Sequence, residues 1–275
     1  MKRLALLALL AACAPQPVAP PPQPAPDTLP PPQYPAATRD RMMAILNAEW
    51  HEWGARTLDA RHGPPPSTEG PLAEQHPAAF SKVLAYWSAA GAQDFIDRNK
   101  RAFITGATTI CTDDERATDG RDLVWGCQPW SAAFISHIMR STGIDRAEFP
   151  PAIGHRTYID ALIALGDLWG AQAPFLAHDI ADYAPRPGDL ICADRARRNP
   201  ITTIDDRRRE TGASRPMHCD IVIDTAPGEL RAIGGNVAQA VTAVRYQTDA
   251  LGRLTRTGRR WFVVFENRIG LGAGS

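Results

Sequence analysis

The stretch GCQPWSAAFIS, residues 126–136, combines a tight loop with the start of a helix. Pro129 suits the first helical position, because it has no N–H to leave unpaired and its φ angle is preset. Ser131 then lies close to free backbone N–H groups and to the positive end of the helix dipole. A hydroxyl at this place is well supported as it becomes an anion, which makes Ser131 a candidate nucleophile. The alternative is that Ser131 only caps the helix.

The hydrophobic pattern around this stretch changes from a helical period to a strand period along the chain. It predicts helices over residues 38–54, 77–90, 93–103, 129–142 and 155–168. It then predicts five strands over residues 189–194, 217–224, 230–233, 241–247 and 261–267. Residues 55–75 are typical of a loop, 178–186 of a connector, and 195–216 of a polar insertion. Helices followed by consecutive strands with short turns predict an α+β fold with an antiparallel sheet.

The strand predicted over residues 217–224 carries the second set of candidate site residues. Alternate residues of a strand share a face, so His218 and Asp220 lie side by side, opposite apolar Cys219. A histidine beside a carboxylate suits a general base and the group that orients it. The alternative is an exposed polar pair on a half-buried strand. Asn236 is a less favoured orienter, and the two glycines before it indicate a turn.

The N-terminus predicts an exported, lipid-anchored protein. Residues 1–12 have the basic start and short apolar run of a signal peptide, too short to span a bilayer. The sequence LAAC at residues 10–13 resembles a bacterial lipobox, so we expect Cys13 to be lipidated. Residues 13–37 form a proline-rich tether, and 38–270 the globular domain. Ala14 after the cysteine, by resemblance to Gram-negative lipoproteins, favours the periplasmic face of the outer membrane.

The remaining cysteines and the charge balance limit the possible ligands. Cys111, Cys127, Cys192 and Cys219 permit two disulfides in an oxidising compartment, with three pairings left open. Their spacing is not that of a zinc site, and no motif implies a cofactor or another metal. With a formal net charge of zero, nothing global points to nucleic acid.

Three motifs in order resemble the bacterial family called domain of unknown function 2272. They are PWSAAFIS at 129–136, PGDLICADR with MHCDIVID at 187–195 and 217–224, and AIGGNV at 232–237. That family looks like a branch of the NlpC-type and CHAP superfamily. The resemblance implies a papain-like fold and a peptidoglycan amide or peptide bond as substrate. It also implies a nucleophile at a helix start and a base histidine on a strand. Trp130 and His155 are candidates to line the cleft; for His155, at a predicted helix start, the alternative is capping or a surface role.

The chain departs from that family at the nucleophile, because Ser131 stands where relatives have cysteine. One interpretation is that Ser131 attacks, with His218 as base and Asp220, or less favourably Asn236, as its orienter. A second is that Cys127 is the nucleophile. A third is an inactive site on a peptidoglycan-binding or scaffold lipoprotein. The expected function is a peptidoglycan hydrolase anchored to the membrane by lipid, with no protein partner indicated.

Overall fold

A mixed β-sheet with helices on one face organises the chain. The computed structural model describes residues 34–64, 74, 77–104 and 129–271. The predicted signal peptide, Cys13, most of the tether, Cys111 and Cys127 lie outside the described residues. No helix within the described ranges has both the length and the apolar character needed to cross a membrane.

The described residues form six α-helices and seven strands. The helices are α1 (Ala37–Glu52), α2 (Pro77–Ala89), α3 (Gln93–Ile104), α4 (Ser131–Thr142), α5 (His155–Trp169) and α6 (Ile204–Arg209). The strands are β1 (Thr57–Asp59), β2 (Phe175–Asp179), β3 (Leu190–Asp194), β4 (Met217–Ala226), β5 (Glu229–Val237), β6 (Ala240–Gln247) and β7 (Arg260–Asn267). Five of the six helices precede residue 170 and six of the seven strands follow it, so the elements are segregated along the chain and the predicted α+β class is confirmed.

The sheet has the order β1-β6-β5-β4-β3-β7-β2, so two edge strands add to the five that were predicted. β1 pairs in parallel with β6, and the other neighbours in the sheet are antiparallel. The prediction of five strands was wrong because edge strands carry weak patterns. β1 is only three residues long, and β2 ends in the half-buried polar residues His178 and Asp179. β5 also continues through the glycines that indicated a turn.

The two faces of the sheet bury different cores, and the larger one lies under the helices. Helix α4 is buried on most of its surface, from Ser131 to Thr142. Its side chains meet Cys192, Cys219 and other apolar residues of one sheet face in a single cluster. The opposite face has a smaller cluster that includes Val222, Tyr246 and Trp261. His218 and Asp220 alternate with the first cluster along β4 and therefore belong to the second face.

The polar insertion at residues 195–216 contains ordered structure that its composition did not predict. Helix α6 starts with a capping box in which Thr203 and Asp206 each accept a backbone N–H. Fully buried Arg207 donates twice to Asp160 of α5, at 2.6 and 2.7 Å. This paired, desolvated ion pair ties the insertion to the helix that begins at His155.

Cys192 and Cys219 form a disulfide, one of the pairings that the sequence left open. The two residues are directly opposite each other on the antiparallel strands β3 and β4. Their Cα atoms are 4.2 Å apart, as in a pair of opposing residues whose side chains approach closely. The bond closes a loop of sequence separation 27 that contains the whole insertion.

Loss of this disulfide should lower the free energy of unfolding by about 3–4 kcal/mol, because the unfolded chain regains the entropy of the open loop. Urea unfolding of the Cys192→Ala, Cys219→Ala double variant measures the effect. A thiol reductant should lower the stability of the wild type by more than that of the variant, in which Cys111 and Cys127 are the one pair left for a disulfide outside Cys13, which is expected to carry lipid. Equal stability of wild type and variant would contradict the disulfide.

Candidate active site

Ser131 is the first residue of α4, and its side chain points to a histidine rather than to the helix backbone. Trp130 is the residue before the helix, and it makes no side-chain capping bond. Ser131 Oγ lies 2.6 Å from Nε2 of His155, and both residues are buried. The first backbone bond of the helix runs from Phe134 N–H to Trp130 C=O, at 2.9 Å. Ser131 therefore does not cap the helix, and among the described residues no side chain accepts from the first-turn N–H groups.

His155 begins α5, and its second ring nitrogen is also held. Nδ1 contacts the hydroxyl of Tyr158, which is one turn further along the helix. Burial, and then the charge of Asp220, raise the pKa of Tyr158 well above its usual value, so this phenol stays protonated. The tautomer with its proton on Nδ1 donates to Tyr158 Oη. That tautomer leaves Nε2 free to accept the Ser131 O–H, as a general base requires.

Ser136 of α4 holds the segment that leads into His155. Its oxygen accepts from the N–H of Ala152 at 3.0 Å, and its one proton faces the carbonyls of Ala132, at 2.9 Å, and Ala152, at 3.1 Å. Ala152 comes three residues before His155, so α4 itself holds the segment that leads into α5. This arrangement ties the position of the histidine to the helix that carries Ser131.

His218 and Asp220 form a second buried group on β4. His218 Nε2 is 2.7 Å from Asp220 Oδ1, and the side chains are 2% and 0% exposed. Tyr246 donates its hydroxyl to Asp220 Oδ2 at 2.8 Å, and Arg259 Nε–H donates to Tyr246 at 3.0 Å. The interpretation of His218 and Asp220 as an exposed polar pair is therefore wrong. The pair is instead a supported, desolvated carboxylate–imidazole unit.

The structure places His155, rather than His218, against Ser131. The rings of the two histidines are 5.4 Å apart, centroid to centroid, at an angle of 60°. Nε2 of His218 faces Asp220, which is on the same strand. His155 therefore takes the position that the sequence assigned to His218, and it was expected only to line the cleft.

Burial sets the charge of the two rings. It lowers the pKa of His155 well below its usual value, and the nearby His218 lowers it further. Burial also lowers the pKa of His218, although Asp220 opposes the shift. Both imidazoles are therefore neutral near pH 7. The carboxyl of Asp220 stays ionised: burial acts to raise its pKa, and His218, Arg259 and the Tyr246 hydroxyl outweigh it.

Two glycines on β5 make room for both halves of the site. A Cβ at Gly234 would lie 1.8 Å from Asp220 Oδ1 and 3.1 Å from His218 Nε2. A Cβ at Gly235 would lie 2.5 Å from Cβ of Phe134 on α4. The glycines thus permit close approach on opposite faces of one strand, and they do not form the turn that was expected.

Asn236 follows these glycines but points to a different cluster. The side-chain nitrogen of Gln239, oriented toward its acceptors, donates to Asn236 Oδ1 at 2.8 Å and to Glu74 Oε1 at 2.7 Å. In the described part of the chain no hydrogen bond joins Asn236 to His155 or His218. The structure therefore does not bring Asn236 to either ring as an orienter.

Trp130 is part of the core and does not line an open cleft. It is 0% exposed and stacks on Trp53 with 5.2 Å between ring centroids. Its Nε1–H donates to Glu74 Oε2 at 2.7 Å. Glu74 is itself buried, so this contact satisfies two polar groups that are desolvated together.

The sequence missed four polar residues that support the site: Glu74, Tyr158, Tyr246 and Arg259. A signal was present for Tyr158, which follows His155 at the i,i+3 spacing of one helix face. The others come from distant segments, and only the register of the sheet and the packing of α4 bring them together. Within the described ranges no group of three His, Cys, Asp or Glu residues could hold a metal ion.

The fold and site define an α+β protein with a buried Ser–His pair at a helix start and a His–Asp pair on the adjoining sheet. The family model described as uncharacterized protein conserved in bacteria (DUF2272) matches residues 74–267, and the chain belongs to this family. A search of curated proteins and a search of solved structures returned no match.

Replacement of Gly234 by alanine should displace Asp220 and lower the free energy of unfolding by about 1–3 kcal/mol, as overpacking does. Gly63→Ala is the control, because a Cβ there meets nothing within 4 Å. Urea unfolding of both variants measures the difference. Equal stability of the two variants would contradict the close approach at Gly234.

Glu74 should make stability depend on pH. Burial raises its pKa to about 7 against the Trp130 N–H, and the side-chain N–H donors of Gln239 oppose the shift as well. A folded pKa above the unfolded value gives stability that is complete below about pH 4.5 and is lost as the pH rises to about 7. The Glu74→Gln variant should therefore gain up to about 3 kcal/mol relative to wild type between pH 4.5 and pH 8. Exposed Glu52→Gln should follow the wild type, and a Glu74→Gln curve parallel to wild type would exclude the effect.

Proposed function

We propose that this chain is a cell-wall hydrolase that cleaves an amide or peptide bond of peptidoglycan, with Ser131 as nucleophile and His155 as general base. The 2.6 Å contact between Ser131 Oγ and His155 Nε2 is the observation that carries the proposal. The contact lies at the N-terminus of a helix packed on antiparallel strands, an arrangement that supports a papain-like relation to the NlpC-type and CHAP superfamily. The cell-wall substrate is taken from that resemblance.

The reaction starts when the Ser131 hydroxyl gives its proton to His155 Nε2 while Oγ bonds to the amide carbon. The carbonyl oxygen becomes an oxyanion, which accepts from backbone N–H groups of the first turn of α4. His155 then returns the proton to the leaving nitrogen, and the C–N bond breaks to leave an acyl-serine. A water molecule, deprotonated by His155, attacks the ester and releases the acid and free Ser131.

His218 and Asp220 act behind the base in this proposal. A buried imidazolium at His155 needs a nearby negative charge, and Tyr158, its hydrogen-bond partner, is neutral. The charge of Asp220 raises the pKa of His155 against the larger effect of burial. Asp220 therefore stabilises the cation that forms during attack, while Tyr246 donates to one carboxylate oxygen and His218 Nε2 lies 2.7 Å from the other.

The proposal places the enzyme on the periplasmic face of the outer membrane. Residues 1–12 export the chain, Cys13 carries the lipid, and residues 13–37 tether residues 38–270 within reach of peptidoglycan. A lipid anchor in the outer membrane is consistent with a cell-wall substrate, because a domain tethered there meets the peptidoglycan beneath that membrane.

A non-catalytic peptidoglycan-binding or scaffold lipoprotein is the second candidate. The observation that favours it is burial: Ser131 is 6%, His155 5% and His218 2% exposed. A serine in place of the family cysteine also removes the more easily ionised nucleophile. This candidate predicts tight binding to peptidoglycan without any released fragment.

Digestion of purified peptidoglycan, followed by mass analysis of the soluble fragments, tests the proposal. Wild type should release fragments, and Ser131→Ala should lower the rate by at least about a thousandfold. His155→Gln should lower it by about a hundredfold or more, since proton transfer is lost. Ser141→Ala, an exposed serine at the other end of α4, is the matched control and should keep the full rate.

Two results would contradict the assignment. No fragment from wild type would favour the binding protein. Activity that survives Ser131→Ala and is lost in Cys127→Ala would move the nucleophile upstream.

A further inference from the structure

Two arginines lie at the end of the sheet that carries the site. Asp194 of β3 is paired with Arg260 of β7 in antiparallel register. Arg195 and Arg259, the next residue outward on each chain segment, therefore come opposite each other. The N–H of Arg195 also donates to the carbonyl of Pro216 at 2.9 Å, at the start of β4.

The same register brings the two arginines to the histidines. Ala193, two residues before Arg195, is directly opposite His218 on β4. Arg259 bonds Tyr246, which in turn bonds Asp220. Arg195 and Arg259 therefore lie at the end of the sheet that carries the buried His–Asp unit, and the charges of both act on the two histidines.

These guanidinium groups keep unused hydrogen-bond donors. Among the described residues, Arg195 has no side-chain hydrogen bond or ion pair, and Arg259 has only the Nε–H bond to Tyr246. The neighbouring arginines differ, since Arg207 is paired with Asp160 and Arg215 with Asp194 and Glu210. A planar guanidinium with a free edge matches the two oxygens of a carboxylate.

The two positive charges also act on each other and on the site. Arg195 is exposed as a whole residue, but partial desolvation of its guanidinium, and then the charge of Arg259, lower its pKa, so the cations are close enough to repel. After the larger effect of burial, both arginines lower the pKa of His155 and of His218. Asp220 is the one carboxylate that acts on both rings among these described groups, so the two cations leave an excess of positive charge that a bound anion would offset.

We propose that Arg195 and Arg259 form a carboxylate subsite of the Ser131 centre, so that the preferred substrate has a free carboxylate beside the bond that is cut. This proposal rests on the proposed function for its reaction and adds the class of substrate. Arg195 recognises the carboxylate, and its side chain forms no hydrogen bond or ion pair with the other described residues. Arg259 combines recognition with support of Tyr246 and Asp220.

Peptidoglycan with blocked carboxylates tests the subsite. One half of a preparation is coupled to methylamine with a carbodiimide, which converts carboxylates to neutral amides, and the other half is left untreated. Wild type should digest the untreated polymer about tenfold faster or more, from the loss of charge-assisted bonds. Arg195→Gln should lose about tenfold on untreated polymer and should no longer distinguish the two. Arg209→Gln, an exposed arginine of α6, should behave as wild type.

A binding experiment separates failure of the subsite from failure of the proposed function. Co-sedimentation of Ser131→Ala with the two polymers reports recognition without chemistry. Binding that needs both free carboxylates and Arg195, but not Arg209, supports the subsite even if wild type releases no fragment. Equal digestion and equal binding of both polymers by wild type and Arg195→Gln would overturn the subsite and leave the hydrolase intact.

Discussion

The close approach of α4 to the sheet is the constraint on which the site depends. At Gly235, β5 presents no side chain to Phe134, so the helix that starts at Ser131 can lie directly on the strand. At Gly234 the same strand leaves room on its other face for Asp220. The two glycines therefore let α4, which carries Ser131, pack closely on one face of β5 while Asp220 packs closely on the other. Larger residues would force the two halves apart.

Burial then decides the chemistry. The two imidazoles are desolvated and therefore neutral near pH 7. Burial acts to raise the pKa of Asp220, but His218, Arg259 and the Tyr246 hydroxyl outweigh it, so the carboxylate stays charged. A neutral His155 with a free Nε2 is the form that accepts a serine proton. The proposed mechanism uses this division, in which one ring moves the proton and a nearby anion stabilises the resulting cation. Serine needs such an arrangement more than cysteine does, because its hydroxyl is much harder to ionise.

The sequence predicted the parts whose signal is local. The helix around Ser131, the shared face of His218 and Asp220, and the α+β class follow from short-range patterns, and the family resemblance was confirmed. The helix begins at Ser131 and not at Pro129, where the preset φ angle of proline had placed its first position. His155 contacts Ser131 because α5 packs beside α4. The hydrophobic periodicity of a sequence does not predict such packing between helices. The edge strands and the support of Asp220 by Tyr246 depended in the same way on pairing between distant segments. Sequence patterns therefore predict local features, but they do not predict how side chains from several elements come together in one site.

The central claim is that His155 activates Ser131, and covalent trapping tests it most directly. Diisopropyl fluorophosphate reacts with activated serines, and mass spectrometry of digested peptides locates the adduct. The account predicts stoichiometric modification of Ser131 in wild type, slowed by at least about a hundredfold in His155→Gln, which retains the size but not the base. An unmodified Ser131, or modification at the same rate in both proteins, would contradict it.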